Sequence, residues 1–223
     1  MVLVHSALGD SRLWRRQVEA LSPRFTVVAP DLPGWGATPM PEVPFSFVDS
    51  LAEHLPAALV GNSFGGNVAL RAALAHPGEV SKLVLVGAGV GAWDWTAELR
   101  DYFAAEEAAI ERGDLDEATQ VNLDFWVDPA FHEEVRPQQR RALELQTAHE
   151  EPAVRWPEER PLSELDVPTL VVVGERDKAD FHAIARHLAE QIPGARLEVV
   201  PGAGHLVGVE QPGALNELLL EFL

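Results

Sequence analysis

Short apolar, β-branched runs alternate with longer stretches of helical periodicity along most of this chain. The runs fall at residues 1–4, 26–29, 57–60, 82–86, 169–173 and 196–199, with Gly, Pro, Asp or Asn at their boundaries. Apolar positions recur at helical spacing near residues 11–21, 45–54, 64–76, 180–191 and 212–222. Runs that alternate with helices predict an α/β fold, a mostly parallel sheet of about six strands with helices on both faces.

Residues 93–161 break the rhythm. No run there reads as a strand, and the segment is helical and heavily acidic, with Gly113-Asp114 and Asp128-Pro129 as breaks. It holds Trp93, Trp95, Tyr102, Phe103, Phe125, Trp126, Phe131 and Trp156. Most of these aromatics are expected to pack the segment onto the core. A helical insertion between two strands is expected to lie as a lid over the strand ends. The predicted organisation is therefore a core from residues 1–91 and 162–223 and a helical lid from 92–161.

Composition narrows the picture. A chain of 223 residues, 47% hydrophobic, can bury one well-packed core. No apolar run is long enough to span a bilayer. The opening Met1-Val2-Leu3-Val4-His5 lacks a basic leader and a cleavage site, so it reads as a strand and not a signal peptide. Cysteine is absent, which excludes disulfides, thiol catalysis and Cys-ligated metals, and fits a cytoplasmic protein. The net charge of −18 repels phosphate backbones and argues against nucleic acid as a partner.

The chemistry concentrates at three strand ends. Gly61-Asn62-Ser63-Phe64-Gly65-Gly66 follows the run at 57–60 and opens a helix, which is G-x-S-x-G in a strand–turn–helix context. A sharp turn there lifts the Ser63 hydroxyl clear of the sheet. It also sets it at a helix N-terminus, where free N–H groups favour an oxyanion. A serine needs a base, and Gly202-Ala203-Gly204-His205 follows the run at 196–199. His205 is the candidate. His182 and His187 lie on a predicted helix, His54 and His76 near helix ends, and His132 and His149 in the insertion; surface or packing roles suit these six better. The base needs an acid to fix its tautomer. Gly174-Glu175-Arg176-Asp177 follows the run at 169–173, and Asp177 is the best candidate. Glu175 and Asp180 are close alternatives, and Asp94 a more distant one. The chain order Ser, Asp, His is that of α/β hydrolases and differs from those of chymotrypsin and subtilisin. All three residues follow the C-terminal ends of predicted strands, where open parallel sheets place their sites. One oxyanion donor is expected at Phe64 N–H, and a second from the loop His5-Ser6-Ala7-Leu8-Gly9 after the first strand.

With Val4-His5-Ser6-Ala7, Asp31-Leu32-Pro33-Gly34-Trp35-Gly36, Gly61–Gly66, Gly174–Asp177 and Gly202–His205 in place, the chain resembles the α/β-hydrolase superfamily over nearly its whole length, most weakly in the insertion. The resemblance implies that Ala7, the second residue after the first-loop histidine, gives the second oxyanion N–H. The family usually carries His-Gly where this chain has His5-Ser6. It also implies a purely structural turn at Asp31-Leu32-Pro33-Gly34. Relatives generally carry two strands before the one that opens this sequence, so the strand at 26–29 should lie at a sheet edge. Exposed edges invite pairing, so either a homodimer or a covering loop is expected there. Val4-His5-Ser6-Ala7-Leu8-Gly9 and Pro201-Gly202-Ala203-Gly204-His205 are similar to carboxylesterases and 3-oxoadipate enol-lactonases. The implied activity is hydrolysis of a small-molecule ester or lactone through an acyl-enzyme, with no metal or organic cofactor. A serine at the elbow sets the chain apart from the related dehalogenases and epoxide hydrolases, which use Asp there. The alternatives are C–C hydrolysis, peptide cleavage, acyl transfer, perhydrolysis, or non-catalytic ligand binding on the same fold.

Overall fold

The computed structural model describes residues 1–148 and 152–223. His149 lies outside the described residues. Five parallel strands form one sheet in chain order: β1 (Val2–Val4), β2 (Ala57–Asn62), β3 (Val80–Val86), β4 (Thr169–Gly174) and β5 (Arg196–Val200). Six strands were expected, and residues 26–29 account for the difference. They run along β1, where Val28 N–H donates to Met1 O and Leu3 N–H donates to Val28 O, at 3.0 and 2.8 Å. The next rung would need an N–H at residue 30, and Pro30 has none. Pairing therefore stops at a single Val2–Val28 bridge.

Alternation along the strands supplies both faces of the sheet. Leu83 and Leu85 of β3 point to one face, with Leu59, Val171 and Val173. There they meet α2 (Phe47–Ala52), α3 (Phe64–Ala75) and α7 (Ala179–Gln191) through residues such as Leu51, Val68, Ile184 and Leu188. Val84 and Val86 point to the other face, with Val60, Leu170 and Val172. That face packs on α1 (Arg15–Leu21) and α9 (Pro212–Phe222) through Leu21, Leu215 and Leu219. Each fully buried Leu of this kind contributes about 2 kcal/mol of transfer free energy.

Between β3 and β4 lie α4 (Ala97–Glu111), α5 (Leu115–Trp126) and α6 (His132–Gln146). Among the described residues this stretch contains no strand; one isolated bridge links Val154 to Phe45. Ala109, Ala118 and Leu143 pack the three helices together. Leu123, Val127 and Val135 pack them on Leu8, Leu13, Leu206 and Val209 of the core. Asp180, buried at the start of α7, accepts from Thr96 N–H and Thr96 Oγ1–H at 3.1 and 2.6 Å, which pins the entrance of α4.

The turn at Asp31-Leu32-Pro33-Gly34 is tied to the first strand by His5. The fully buried imidazole donates from Nδ1 to Ser6 O at 2.8 Å and accepts Leu32 N–H at Nε2, 3.0 Å. Burial lowers its pKa below the ordinary 6.5, against the raising influence of the Ser6 carbonyl, Asp31 and Asp10. The folded protein thus keeps His5 neutral where an unfolded chain would take up a proton. Stability from this group is full above pH 6.5 and drains away as the pH falls from there through the folded value. The unfolding free energy of the wild type should decline below that pH. His5→Gln should flatten the decline by at most about 1.4 kcal/mol per pH unit. Denaturant titrations at successive pH values check this; an unchanged slope in the variant would contradict it.

Candidate active site

The turn after β2 is forced by close packing. A Cβ at Gly61 would lie 2.3 Å from Gly65 O, and one at Gly65 would lie 2.3 Å from His5 O and 2.4 Å from Val4 O. Only glycine fits at either position, because backbone meets backbone there. Between them Ser63 sits at φ 54°, ψ −115°, the one non-glycine residue with positive φ among those described. Such a conformation costs about 1–3 kcal/mol and persists where its surroundings over-determine it. Here Ser63 N–H donates to Val86 O at 2.9 Å, and Ser63 O accepts from Gly89 N–H at 3.2 Å. Asn62, buried beside it, donates from Nδ2 to Val86 O and to His205 O at 2.8 and 3.3 Å.

Three strand ends converge on one chain of hydrogen bonds. Ser63 Oγ lies 2.8 Å from His205 Nε2, and His205 Nδ1 lies 3.0 Å from both carboxylate oxygens of Asp177. Nδ1 faces only acceptors there, so it carries the proton, and Nε2 is left free to accept from Ser63 Oγ–H. The Asp177 side chain has no exposed surface and also accepts from Lys178 N–H at 2.8 Å. Trp126 of α5 and Phe181 of α7 pack on the imidazole, each with ring centroids 4.5 Å away. The alternative acids stand elsewhere. Asp180 caps α4, Glu175 accepts Gly202 N–H at 2.9 Å, and Asp94 is solvent-exposed beside Arg100.

Phe64 N–H opens α3, in the first turn where N–H groups have no partner within the helix. Ala7 lies on the loop that Gly65 touches, and among the described hydrogen bonds its N–H has no acceptor. Ser6 is fully buried, and its hydroxyl accepts Leu8 N–H at 3.3 Å, so a side chain fits where relatives carry glycine.

Sequence reasoning passed over Glu210. Its buried carboxylate accepts Gly204 N–H at 2.7 Å and Leu206 N–H at 3.3 Å, from the residues on either side of His205. Burial raises its pKa, against those hydrogen bonds. Arg176 joins it at 3.3 Å and reaches Asp128, between α5 and α6, at 3.1 Å. Glu210 sits on a short helix, α8 (Val207–Glu210), and nothing in its local sequence marks it as buried.

Beside Phe64 lies a cavity of about 680 Å3 lined by Trp35, Met40, Phe47, Leu143 and Trp156, with Gln146 and Thr147 as polar members. Among the described residues no charged side chain lines it. Among the described residues no cluster of three His, Asp or Glu could hold a metal ion, and no helix is long and apolar enough to cross a membrane.

A family model described as "Alpha/beta hydrolase family" matches residues 1–218. The chain belongs to the alpha/beta hydrolase family. It is 30% identical to a 2-hydroxymuconate semialdehyde hydrolase of a Pseudomonas species, over 94% of this chain and 80% of that one. A hydrolase from Pseudomonas aeruginosa PA01 superposes with a TM-score of 0.80 at 27% identity, covering 99% of this chain and 88% of the other. An N-acyl homoserine lactone degrading enzyme superposes at 0.77 with 25% identity, covering 100% and 92%. This alpha/beta hydrolase thus resembles enzymes named for different substrates.

Proposed function

We propose that the protein is a serine hydrolase that cleaves a small-molecule carboxylic ester or lactone, with residues 92–161 as a lid over the site. The observation that carries this reading is the unbroken chain Ser63 Oγ, His205 Nε2, His205 Nδ1, Asp177 at 2.8 and 3.0 Å. His205 takes the Ser63 proton as Oγ bonds to the carbonyl carbon. Phe64 N–H and Ala7 N–H hold the oxygen that becomes negative. His205 then protonates the leaving alkoxide, and the acyl group stays on Ser63. Water, deprotonated by His205, releases the acid and restores the serine. In a lactone the alkoxide stays tethered, so one hydroxy acid leaves.

The uncharged, aromatic cavity beside Phe64 suits a neutral apolar acyl group. Among the described lining residues a carboxylate would lose water and meet no cation. C–C bond hydrolysis is the second reading, and the 30% identical relative named 2-hydroxymuconate semialdehyde hydrolase is the observation that favours it. The test is a panel of p-nitrophenyl esters, lactones and a vinylogous 1,5-diketone, with fluorophosphonate labelling of Ser63. Ester or lactone turnover with labelling supports the first reading; diketone cleavage alone would move the assignment to the second. Absence of labelling and of all turnover would favour a non-catalytic binding protein.

The outer edge beside Val28, which is 38% exposed, bears on assembly. Either a second copy or a covering loop would close it, and light scattering separates the two: a mass of one chain, 24.3 kDa, would overturn the dimer.

A further inference from the structure

The loop that carries Ala7 has no ladder of its own, so its backbone groups must be held by side chains. Ser6 O accepts from His5 Nδ1–H, and Trp35 Nε1–H donates to Ala7 O at 2.9 Å. Within the loop Leu8 N–H and Gly9 N–H turn back on Ser6, at 3.3 Å to Oγ and 3.4 Å to O, and further restraints come from α6. Gln138 Oε1 accepts Asp10 N–H at 3.4 Å. The Gln139 amide, in the orientation that satisfies both of its ends, donates to Ala7 O and to Leu8 O, each at 3.0 Å. Gln139 is 3% exposed, on the face of α6 that also buries Val135, Ala142 and Leu143. A buried glutamine that spends both amide hydrogens on two consecutive carbonyls fixes the peptide between them in direction as well as position.

We propose that Gln139 is a positioning residue for the oxyanion loop, aiming Ala7 N–H by holding Ala7 O and Leu8 O and tying that aim to the seating of α6. The inference rests on the reading of Ser63 as nucleophile and Ala7 as donor. It adds that the site is complete only while α6 is docked. An oxyanion forms only on the way to the tetrahedral intermediate, so a misdirected donor weakens the transition state and leaves substrate binding alone. Deleting an oxyanion donor costs about 10²–10³ in kcat, and displacing one should cost part of that.

The experiment compares the wild type with Gln139→Met, which keeps the volume and removes the donor, and Gln139→Glu, which sets acceptors against two carbonyls. The measurements are kcat and KM on the best ester, thermal midpoint, and Ki for a trifluoromethyl ketone, whose adduct with serine carries an oxyanion. Gln139→Met should lower kcat about 10- to 100-fold and raise Ki in parallel, with KM nearly unchanged. The deficit of Gln139→Glu relative to the wild type should shrink as the pH falls, because the protonated carboxyl can donate one of the two lost bonds. If either folded variant keeps wild-type kcat and Ki, whatever its midpoint, Gln139 only packs and the proposal is overturned. If the wild type itself neither labels at Ser63 nor turns over any ester, the nucleophile reading falls and takes this one with it. An active wild type beside indifferent variants removes this proposal alone.

Discussion

Ser63→Ala is expected to lower kcat by at least about 10⁴-fold and to abolish labelling by a fluorophosphonate, with the fold retained. The hydroxyl, on the residue just before α3, lies 2.8 Å from His205 Nε2, and nothing else in the hydrogen-bond chain can form an acyl ester. Residual turnover would come from the oxyanion donors and the bound water alone. The backbone makes the experiment sharper. At φ 54°, ψ −115° any side chain is strained, so Ser63→Ala keeps that strain and Ser63→Gly relieves it. Ser63→Gly should be as inactive as Ser63→Ala yet more stable, by about 1 kcal/mol. Thermal melts beside ester kinetics decide the matter. A labelled, active Ser63→Ala would place the nucleophile elsewhere.

Asp177→Asn should cost nearly as much, about 10⁴-fold in kcat. His205 Nδ1 lies 3.0 Å from each Asp177 oxygen, so the carboxylate accepts a hydrogen bond from Nδ1–H, keeps the proton there and leaves Nε2 open toward Ser63. An amide would offer N–H to Nδ1, and the proton would move to the nitrogen that must act as base. The adjacent candidate gives the control. Asp180→Asn removes charge from the cap on Thr96 and should lower the thermal midpoint while leaving kcat within a few-fold of wild type. Steady-state kinetics on both variants separate them, and a severe loss of kcat in Asp180→Asn with Asp177→Asn unharmed would reverse the assignment.

Much of this could be read along the chain, and the exceptions have physical reasons. Helix α9 begins at Pro212, where a missing N–H costs nothing in a first turn. The predicted range for it was the observed one. Residues 26–29 have the composition of a strand and one good neighbour, but Pro30 removes the next rung. Asp177 and Asp180 are three residues apart, one in the turn before α7 and one in its first turn, and local sequence cannot say which meets the imidazole. The sheet register and the start of α7 decide it. Gln139 was missed because its partners are backbone carbonyls far away in the chain, and Glu210 because only the folded path of the His205 loop turns Gly204 and Leu206 N–H toward it. Gln139 does leave a trace: Val135, Gln138, Gln139, Ala142 and Leu143 keep the spacing of a buried stripe, with two amides where apolar residues would be expected. Polar side chains on such a stripe point to a specific partner.

The strand order of the sheet is also its order in the chain. Each new strand therefore finds its neighbour already made, and the sheet can grow from one side as the chain lengthens. The three polar residues at the strand ends arrive at very different times: Ser63 after the second strand, Asp177 after the fourth, His205 after the fifth. The contortion at Ser63 is maintained by Val86 and by the approach of Gly65 to His5, both available early. Its partner imidazole comes within twenty residues of the C-terminus. A nascent chain can thus bend its serine into place long before that serine has a base to lend its proton to. On the proposed reading, reactivity is withheld until β5 docks, and catalytic competence reports the assembled sheet more faithfully than compactness or helix content does.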